Sequence, residues 1–135
     1  MKLEKVNYSA LNPRQQEIFN FQKVASLLAD YGFNCIKLAD DWQGADFLAC
    51  HTNGDTLKVQ LKSRLSIARK YIGKSLFMAF PSNDNWYLIE HDQLVKIIEA
   101  NTTWLTTKSW LDEPSAYTSA NPSLKVITAL QNSKL

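Results

Sequence analysis

The sequence has few cysteines, few glycines and no long apolar run. Cys35 and Cys50 are its two cysteines, too few for a disulfide framework, and we expect both to be small buried hydrophobic residues in strands. No apolar run is long enough to cross a membrane, and the N-terminus has no signal-peptide pattern. These absences predict a protein of the reducing cytoplasm with no membrane partner.

Several catalytic motifs are also absent. The Cys and His residues lack the spacing of a structural zinc site. The chain has no glycine-rich phosphate loop, no HExxH motif and no serine-nucleophile motif. His51 and His91 form no obvious pair, and His91-Asp92 is typical of the start of a helix. The sequence therefore gives no indication of a zinc protease, a P-loop enzyme or a serine hydrolase.

Enough apolar sequence is present for a core. Hydrophobic residues make up 45% of the 135 residues, which predicts one domain spanning residues 1–135. The net charge is only +2, but six of the 15 Lys and Arg residues lie between Lys58 and Lys74, a stretch without Asp or Glu. Such a block suits a phosphate-binding surface, and the alternative is a solvated basic face that binds no ligand.

The most informative stretch is a candidate β-hairpin. Two apolar runs, Asp46–Cys50 and Leu57–Leu61, flank a segment containing Asn53-Gly54, a strong hairpin signal because both residues tolerate positive φ. The second run alternates, so one face is apolar and packs on a core. The other face carries the polar side chains of Lys58, Gln60 and Lys62.

This hairpin resembles the motif of the PD-(D/E)xK nuclease superfamily, the restriction-endonuclease-like fold. In that superfamily an Asp begins one strand of a hairpin and an acid-x-Lys sequence lies on the next. Asp46 and Gln60-Leu61-Lys62 match these places. Ala45 replaces the usual Pro and Gln60 the usual acid; both departures occur in the superfamily, including among intron-encoded homing endonucleases. The resemblance covers roughly residues 13 to 90.

The resemblance implies metal-dependent hydrolysis of DNA phosphodiester bonds, of restriction, homing or repair type. Mg²⁺ or Mn²⁺ would be the cofactor, because hard oxygen ligands suit these ions. Lys62 is expected to stabilise the pentavalent phosphate or orient the attacking water. The expected metal ligands are Asp46, Gln60, the backbone carbonyl of Leu61, and Glu17. The expected catalytic residues are Asp46, Gln60, Lys62 and Glu17.

DNA is the expected partner, although the sequence does not distinguish DNA from RNA. Because so small a domain has a limited footprint, cutting both strands would require several copies, and we expect a homo-oligomer, a dimer or tetramer. The residues expected to contact nucleic acid are Lys58, Arg64, Arg69, Lys70 and Lys74.

Glu17 lies on a predicted helix that begins at Asn12-Pro13. Asn12 and Gln15 form a capping box, and apolar residues from Ile18 to Tyr31 follow at helical spacing. Glu17 precedes Phe21 by one turn, which places it at the N-terminal end of the predicted buried stripe. In the resembled superfamily a Glu on the first helix often joins the metal site. The alternative is an ordinary first-turn Glu stabilised by the helix dipole.

The hairpin register decides whether these side chains meet. A strict two-residue turn at Asn53-Gly54 would place Asp46 opposite Leu61, on the wrong face for the nuclease interpretation. A longer loop or a bulge would move Asp46 to the face of Gln60 and Lys62. The nuclease interpretation therefore predicts an irregularity in this hairpin.

The remaining pattern predicts an α+β fold, with a restriction-endonuclease-like mixed β-sheet core flanked by helices. We expect a first strand over Phe33–Leu38 and a turn at residues 40–44 capped by Asp40 and Asp41, with metal binding by these two residues as the alternative. We also expect a loop or short helix over Ser63–Lys74, and a second hairpin before a helix at His91. Trp104 and Trp110 are expected to pack in the core, with base stacking as the alternative. Two other functions stay open: a catalytically silent nucleic-acid-binding module of the same fold, and a protein-interaction domain.

Overall fold

The computed structural model describes residues 1–135 as a mixed five-stranded sheet with helices on both faces, beside a separate two-stranded sheet. The predicted α+β class is confirmed. The helices are α1 (Pro13–Ala29), α2 (His91–Asn101), α3 (Lys108–Leu111) and α4 (Leu124–Ala129). The strands are β1 (Phe33–Trp42), β2 (Ala45–His51), β3 (Thr56–Leu61), β4 (Leu65–Ala68), β5 (Leu76–Ser82), β6 (Asn85–Glu90) and β7 (Ala116–Ser119). Short 3-10 helices cover Tyr8–Ala10, Arg69–Tyr71, Trp104–Thr106 and Gln131–Ser133.

The strand order of the large sheet is β1-β2-β3-β5-β6. β1, β2 and β3 form an antiparallel meander, β5 returns parallel to β3, and β6 pairs antiparallel with β5. A parallel return needs a crossover connection, which runs here through β4 and a 3-10 turn instead of a full helix. The chain therefore has a leading helix, a three-stranded meander and a return to the sheet, which is the order of elements that the sequence predicts.

The predicted capping box begins α1. Asn12 Oδ1 accepts a hydrogen bond from the Gln15 N–H, and Gln15 Oε1 accepts one from the Asn12 N–H. Val24 and Leu28 are fully buried against the sheet. Their partners on this face include Phe47, Ala49, Val59 and Ala79.

The predicted apolar stripe of α1 is partly wrong. Ile18 is exposed, because the buried positions are Asn20, Val24 and Leu28, and a position two residues before Asn20 lies about 160° around the helix from it. Tyr31, beyond the last turn, is also exposed. The buried stripe begins with a polar residue, and Asn20 Nδ2 donates to Tyr8 Oη at 2.9 Å, which docks the N-terminal arm on α1.

The other face of the sheet packs on α2 and α4. This larger core includes Met78, Phe80, Tyr87 and Ile89 from the sheet, with Leu94, Ile98, Val126 and Leu130 from the helical side. Trp110 is buried in it, and Trp104 packs against it with its ring stacked on Tyr117 at 4.4 Å. The prediction that both tryptophans pack in the core is confirmed.

β1 is longer than the sequence predicts. It continues to Trp42 because Gln43 and Gly44, with φ of +53° and +84°, form the two-residue turn into β2. Asp41 Oδ1 accepts the Gly44 N–H at 2.9 Å, so its predicted capping role is confirmed.

The basic segment contains a strand that the sequence analysis missed. β4 pairs antiparallel with β7, about fifty residues further along the chain, so the expected loop or short helix over Ser63–Lys74 is only partly right.

The two cysteines are half-buried, not fully buried, because they lie on and beside the edge strand β1. Burial, together with the neighbouring Cys50, raises the pKa of the Cys35 thiol to about 11. None of the helices combines the length and apolar character needed to cross a membrane.

Candidate active site

The β2–β3 hairpin contains the irregularity that the nuclease interpretation predicts. Its loop has three residues, because the His51 N–H donates to the Asp55 carbonyl at 2.7 Å, and Gly54 adopts a φ of +100°. The ladder pairs Ala49 with Leu57 and Phe47 with Val59. Continued by one residue, this register places Asp46 opposite Gln60, so the two share a face of the sheet.

Asp46 lies where the β2–β3 ladder ends. Its Oδ2 accepts the Leu61 N–H at 2.7 Å, a bond that the Ala45 carbonyl would accept if the ladder continued regularly. On the other side of β3, the Lys62 N–H donates to the Ala79 carbonyl of β5 at 2.9 Å. Hydrogen bonds on both sides therefore hold the end of β3 in place, and one of them comes from the Asp46 carboxylate.

Burial raises the pKa of the Asp46 carboxyl above its ordinary value. The Leu61 hydrogen bond and the Lys62 ammonium act in the opposite direction, and Asp41 and Glu17 raise the pKa further. Three charged side chains therefore lie within electrostatic range of Asp46. A bound cation would favour the ionised carboxylate and offset the desolvation.

Gln60 has a buried oxygen without a partner. The residue is 7% exposed, and its Oε1 accepts no hydrogen bond. It lies beside Met78 of β5 in the sheet, where an unsatisfied amide oxygen is unfavourable by about 1–3 kcal/mol. A cation ligated by this oxygen would remove that penalty, so the Gln60 side chain fits a role as a neutral metal ligand.

The expected ligand set is only partly assembled around Asp46. In a strand the N–H and C=O of one residue point to the same side, so the Leu61 carbonyl faces the Asp46 side of β3. No group of three or more His, Cys, Asp or Glu side chains lies in a metal-binding arrangement. A divalent ion here would therefore depend on Asp46, Gln60 and the Leu61 carbonyl, with one negative charge.

Glu17 lies near this site but pairs elsewhere. Its Oε1 accepts a hydrogen bond from Lys37 Nζ at 3.2 Å, and its side chain is 51% exposed, so its expected place in the buried stripe is wrong. The helical register explains this, because Glu17 lies at the flank of the stripe defined by Asn20. Glu17 nevertheless lines a small cleft of about 180 Å³ together with Leu61 and Lys62.

Three of the predicted nucleic-acid contacts surround one basic cleft, on the side of β2 where the β1–β2 turn lies. This cleft has a volume of about 460 Å³ and is lined by Lys58, Lys70 and Lys74, together with Tyr71 and Asp41. Lys58 Nζ is held by the Gln43 Oε1 at 3.2 Å and the Lys74 carbonyl at 3.1 Å. Burial raises the pKa of the Tyr71 phenol, which lies within electrostatic range of Asp46.

The other two predicted contacts lie apart from that cleft. Arg64 lines a second and larger cleft beside α1. The Arg69 guanidinium lies over the Trp110 ring, 5.9 Å from its centroid. The basic segment therefore divides into separate surfaces instead of forming one.

The sequence analysis missed three residues around the site. Lys37 neutralises Glu17, and Asn20 and Tyr8 line the small cleft. A polar Asn20 at the position where the α1 stripe repeats with Val24 and Leu28 was a usable signal. No sequence signal indicated the pairing of Lys37 with Glu17, because the two residues are twenty positions apart and lie on different elements.

The order of the elements and the register of the hairpin agree with the arrangement that the sequence resemblance implies. No protein-family profile matches the chain, and no curated protein matches its sequence. Among solved structures, the chain is similar to Hjc, a Holliday junction resolvase from Archaeoglobus fulgidus, an archaeal hyperthermophile. The TM-score is 0.44 and the identity 13%, over 57% of this chain and 73% of that one.

It is also similar to the bacterial homing endonuclease I-Ssp6803I, with a TM-score of 0.48 and 13% identity, over 83% of this chain and 78% of that one. Both TM-scores and both identities are low, so neither likeness carries an argument about the activity of this chain.

Proposed function

We propose that the chain is a metal-dependent DNA endonuclease whose active site lies at the open end of the β2–β3 hairpin. One observation carries the proposal: Gln60 Oε1 is buried without a partner, and the β2–β3 register, continued by one residue from Phe47 and Val59, puts the half-buried Asp46 opposite Gln60. Two oxygens that would gain from a bound cation thus share one face of the sheet, next to a strand end that also carries Lys62.

The chain's own groups have distinct parts in this proposal. Asp46, Gln60 and the Leu61 carbonyl would hold Mg²⁺ or Mn²⁺, which supplies Lewis-acid stabilisation of the phosphate and a more acidic bound water. The Lys62 ammonium stabilises the negative charge that develops on the phosphate oxygens, or orients the attacking water. The Leu61 N–H keeps Asp46 Oδ2 in place, leaving Oδ1 without a hydrogen bond in the chain.

The decisive experiment is cleavage of supercoiled plasmid and of a branched DNA, in Mg²⁺ and in EDTA. Lys62→Ala should lower cleavage by about 100-fold or more, while Lys96→Ala on the exposed surface of α2 should cleave like the wild type. Thermal unfolding of each variant checks that the fold is kept. Cleavage by Lys62→Ala at the wild-type rate would overturn the proposal.

A catalytically silent nucleic-acid-binding module is the second candidate. The observation that favours it is that Asp46 is the single carboxylate beside Gln60 and the Leu61 carbonyl, because Glu17 pairs with Lys37 and no cluster of three metal-binding side chains is present. Absence of Mg²⁺-dependent cleavage, with DNA binding that weakens steeply with salt, would select this candidate. Lys74→Gln should then reduce the salt slope by about one, with Lys96→Gln on the exposed surface of α2 as the control.

We also propose that two or more copies act together when both strands are cut, because one domain presents one candidate site. Light scattering of the protein alone and with DNA tests this. A monomer under both conditions at a concentration that supports double-strand cleavage would contradict it.

A further inference from the structure

A cleft that is larger than the basic cleft and differs from it chemically lies between α1 and the β5–β6 turn. We call it the aromatic cleft; its volume is about 850 Å³. Three aromatic side chains line it: Tyr8, Phe19 and Trp86. Two cations, Lys23 and Arg64, and one acid, Asp84, also line it, which leaves a net positive charge.

The aromatic cleft adjoins the small cleft that is lined by Leu61 and Lys62 of the candidate active site. Tyr8, Gln16, Asn20 and Ser63 line both this cleft and the small cleft that contains Glu17 and Lys62. The wall they share is held by hydrogen bonds: Asn20 Nδ2 donates to Tyr8 Oη at 2.9 Å, and Gln16 Nε2 donates to the Tyr8 carbonyl at 3.3 Å. A strand with its scissile phosphate near Lys62 would therefore have its neighbouring nucleotides at the aromatic cleft.

Aromatic and cationic groups lie close enough there to contact one nucleotide. The Lys23 ammonium lies over one face of the Phe19 ring, 5.4 Å from the centroid. A base stacked on the other face of Phe19 would therefore have a cation for its phosphate within the same part of the cleft. Aromatic faces bind bases by stacking, and lysine and arginine bind the phosphates between them. Bases within a duplex are already stacked on one another and cannot offer a face to a protein ring, whereas unpaired bases can.

We infer that the aromatic cleft binds unpaired nucleotides of the DNA strand that is cut, next to the scissile phosphate. The enzyme then prefers substrates that carry a single-stranded segment beside the cleavage position over continuous duplex. The position of the cut relative to the cleft rests on the proposed endonuclease function. Binding of a single strand in the cleft does not require that function.

The binding test uses fluorescence anisotropy in EDTA with the Asp46→Asn protein, so that neither metal nor cleavage contributes. The probes are a labelled 12-nucleotide DNA strand, the same strand in a duplex, and an RNA strand of the same sequence. Phe19→Leu and Trp86→Leu each remove one aromatic ring but keep an apolar side chain at the position. Each should weaken binding of the single strand by about tenfold and binding of the duplex by less than about twofold.

The matched control is Tyr31→Leu, which removes an exposed aromatic side chain from the end of α1, outside both clefts. It should bind both DNA probes as the parent protein does. Phe19→Leu is the second variant in case Trp86→Leu fails to fold. Unchanged binding of the single strand in the folded aromatic variants would overturn the inference, as would tighter binding of the RNA strand than of the DNA strand.

The cleavage test compares a continuous duplex with a duplex of the same sequence that carries a single-stranded flap. The wild type should cut the flap substrate faster, and Phe19→Leu should reduce that preference while retaining duplex cleavage. If no substrate is cut but the single strand still binds through Phe19 and Trp86, the endonuclease proposal fails and the assignment of the cleft stands. If both substrates are cut equally by both proteins, the inference fails and the endonuclease proposal stands.

Discussion

Asp46 Oδ2 accepts the amide hydrogen of Leu61 at 2.7 Å, in the place that a backbone carbonyl would take in a regular antiparallel ladder. The side chain thereby ends the pairing of β2 with β3 and leaves its other oxygen without a partner in the chain. An ordinary strand would continue the ladder here. The Leu61 N–H thus bonds to the Asp46 carboxylate and not to the Ala45 carbonyl. We interpret this local change as the feature that makes the end of the hairpin a candidate cation site.

Replacing this carboxylate should stabilise the protein while abolishing cleavage. The pKa of Asp46 is raised by burial, so the folded state favours the neutral form, and ionisation at neutral pH destabilises the fold relative to the unfolded chain. Asp46→Asn keeps an acceptor for the Leu61 N–H without the charge. Because solvent screens a half-exposed carboxyl, the gain should be on the order of 0.5 kcal/mol, about 2 °C in Tm.

Calorimetry at several pH values checks this prediction. The Tm difference should shrink as the pH falls towards the range in which Asp46 is protonated. Asp40→Asn is the matched control, because Asp40 Oδ1 accepts the Asp41 N–H at 2.8 Å on an exposed part of β1. A lower Tm for Asp46→Asn than for the wild type at neutral pH would show that the charge stabilises the fold.

Gln60→Glu should convert a weak metal site into a stronger one. An added carboxylate at a position only 7% exposed is unfavourable without a cation, and in EDTA it should lower the free energy of unfolding by about 1–3 kcal/mol. Mg²⁺ or Mn²⁺ should restore most of that loss, because binding to the folded state alone is stabilising. The measurement is Tm against metal concentration. Gln93→Glu, exposed on α2, should show no metal dependence, and an equal Tm of Gln60→Glu in EDTA and metal would contradict the site.

The hairpin could be predicted from the sequence because it follows from local rules, whereas its irregularity is predicted from the family resemblance, which requires Asp46 on the face of Gln60 and Lys62. Asn53-Gly54 between alternating runs indicates a hairpin, and the side-chain period of two leaves only two choices for the face of Asp46. The capping box at Asn12 is equally local. In each case the residues that decide the outcome lie within a few positions of one another.

Contacts between distant segments could not be predicted in the same way. β4 pairs with β7, and Glu17 pairs with Lys37. Neither pairing could be predicted, because the local sequence pattern does not indicate which distant segment is the partner. The division of the basic segment between separate clefts has the same origin, since it follows from where the strands place Arg64 and Arg69. The sequence could therefore indicate the hairpin that carries the candidate site, but not the residues that distant segments bring to it.

Glu17 should matter less for cleavage than Asp46. Its side chain is half-exposed and its charge is compensated by Lys37 at 3.2 Å, so it acts on the site through the electrostatic field. Glu17→Gln should reduce cleavage by no more than about tenfold and change stability by less than about 0.5 kcal/mol. The measurement is the cleavage rate against Mg²⁺ concentration, with Lys37→Gln beside it. A loss as complete as that of Asp46→Ala would place Glu17 in direct contact with the metal, as the sequence resemblance implies.

His91 should make the stability of the fold depend on pH. The side chain is fully buried; its Nε2 accepts the Ala68 N–H at 3.1 Å, and its Nδ1 lies 3.3 Å from Asp92 Oδ1. Burial lowers the pKa of His91, although Asp92 opposes the shift. The folded state therefore binds fewer protons than the unfolded state near the ordinary pKa of histidine. The stabilisation is complete above that pKa and is lost as the pH falls through it towards the folded-state value.

Urea unfolding from about pH 8 to about pH 5 measures this dependence. His91→Gln retains an amide oxygen that can accept from Ala68 but does not titrate, so its stability should fall less with decreasing pH than that of the wild type. His51→Gln, at the half-buried end of β2, should keep the wild-type dependence. Protonation of His91 at Nε2 removes the acceptor of the Ala68 N–H, so it should loosen the start of the basic segment that contains Lys70 and Lys74. An identical pH dependence in His91→Gln and the wild type would show that His91 stays neutral throughout and that the basic cleft is insensitive to it.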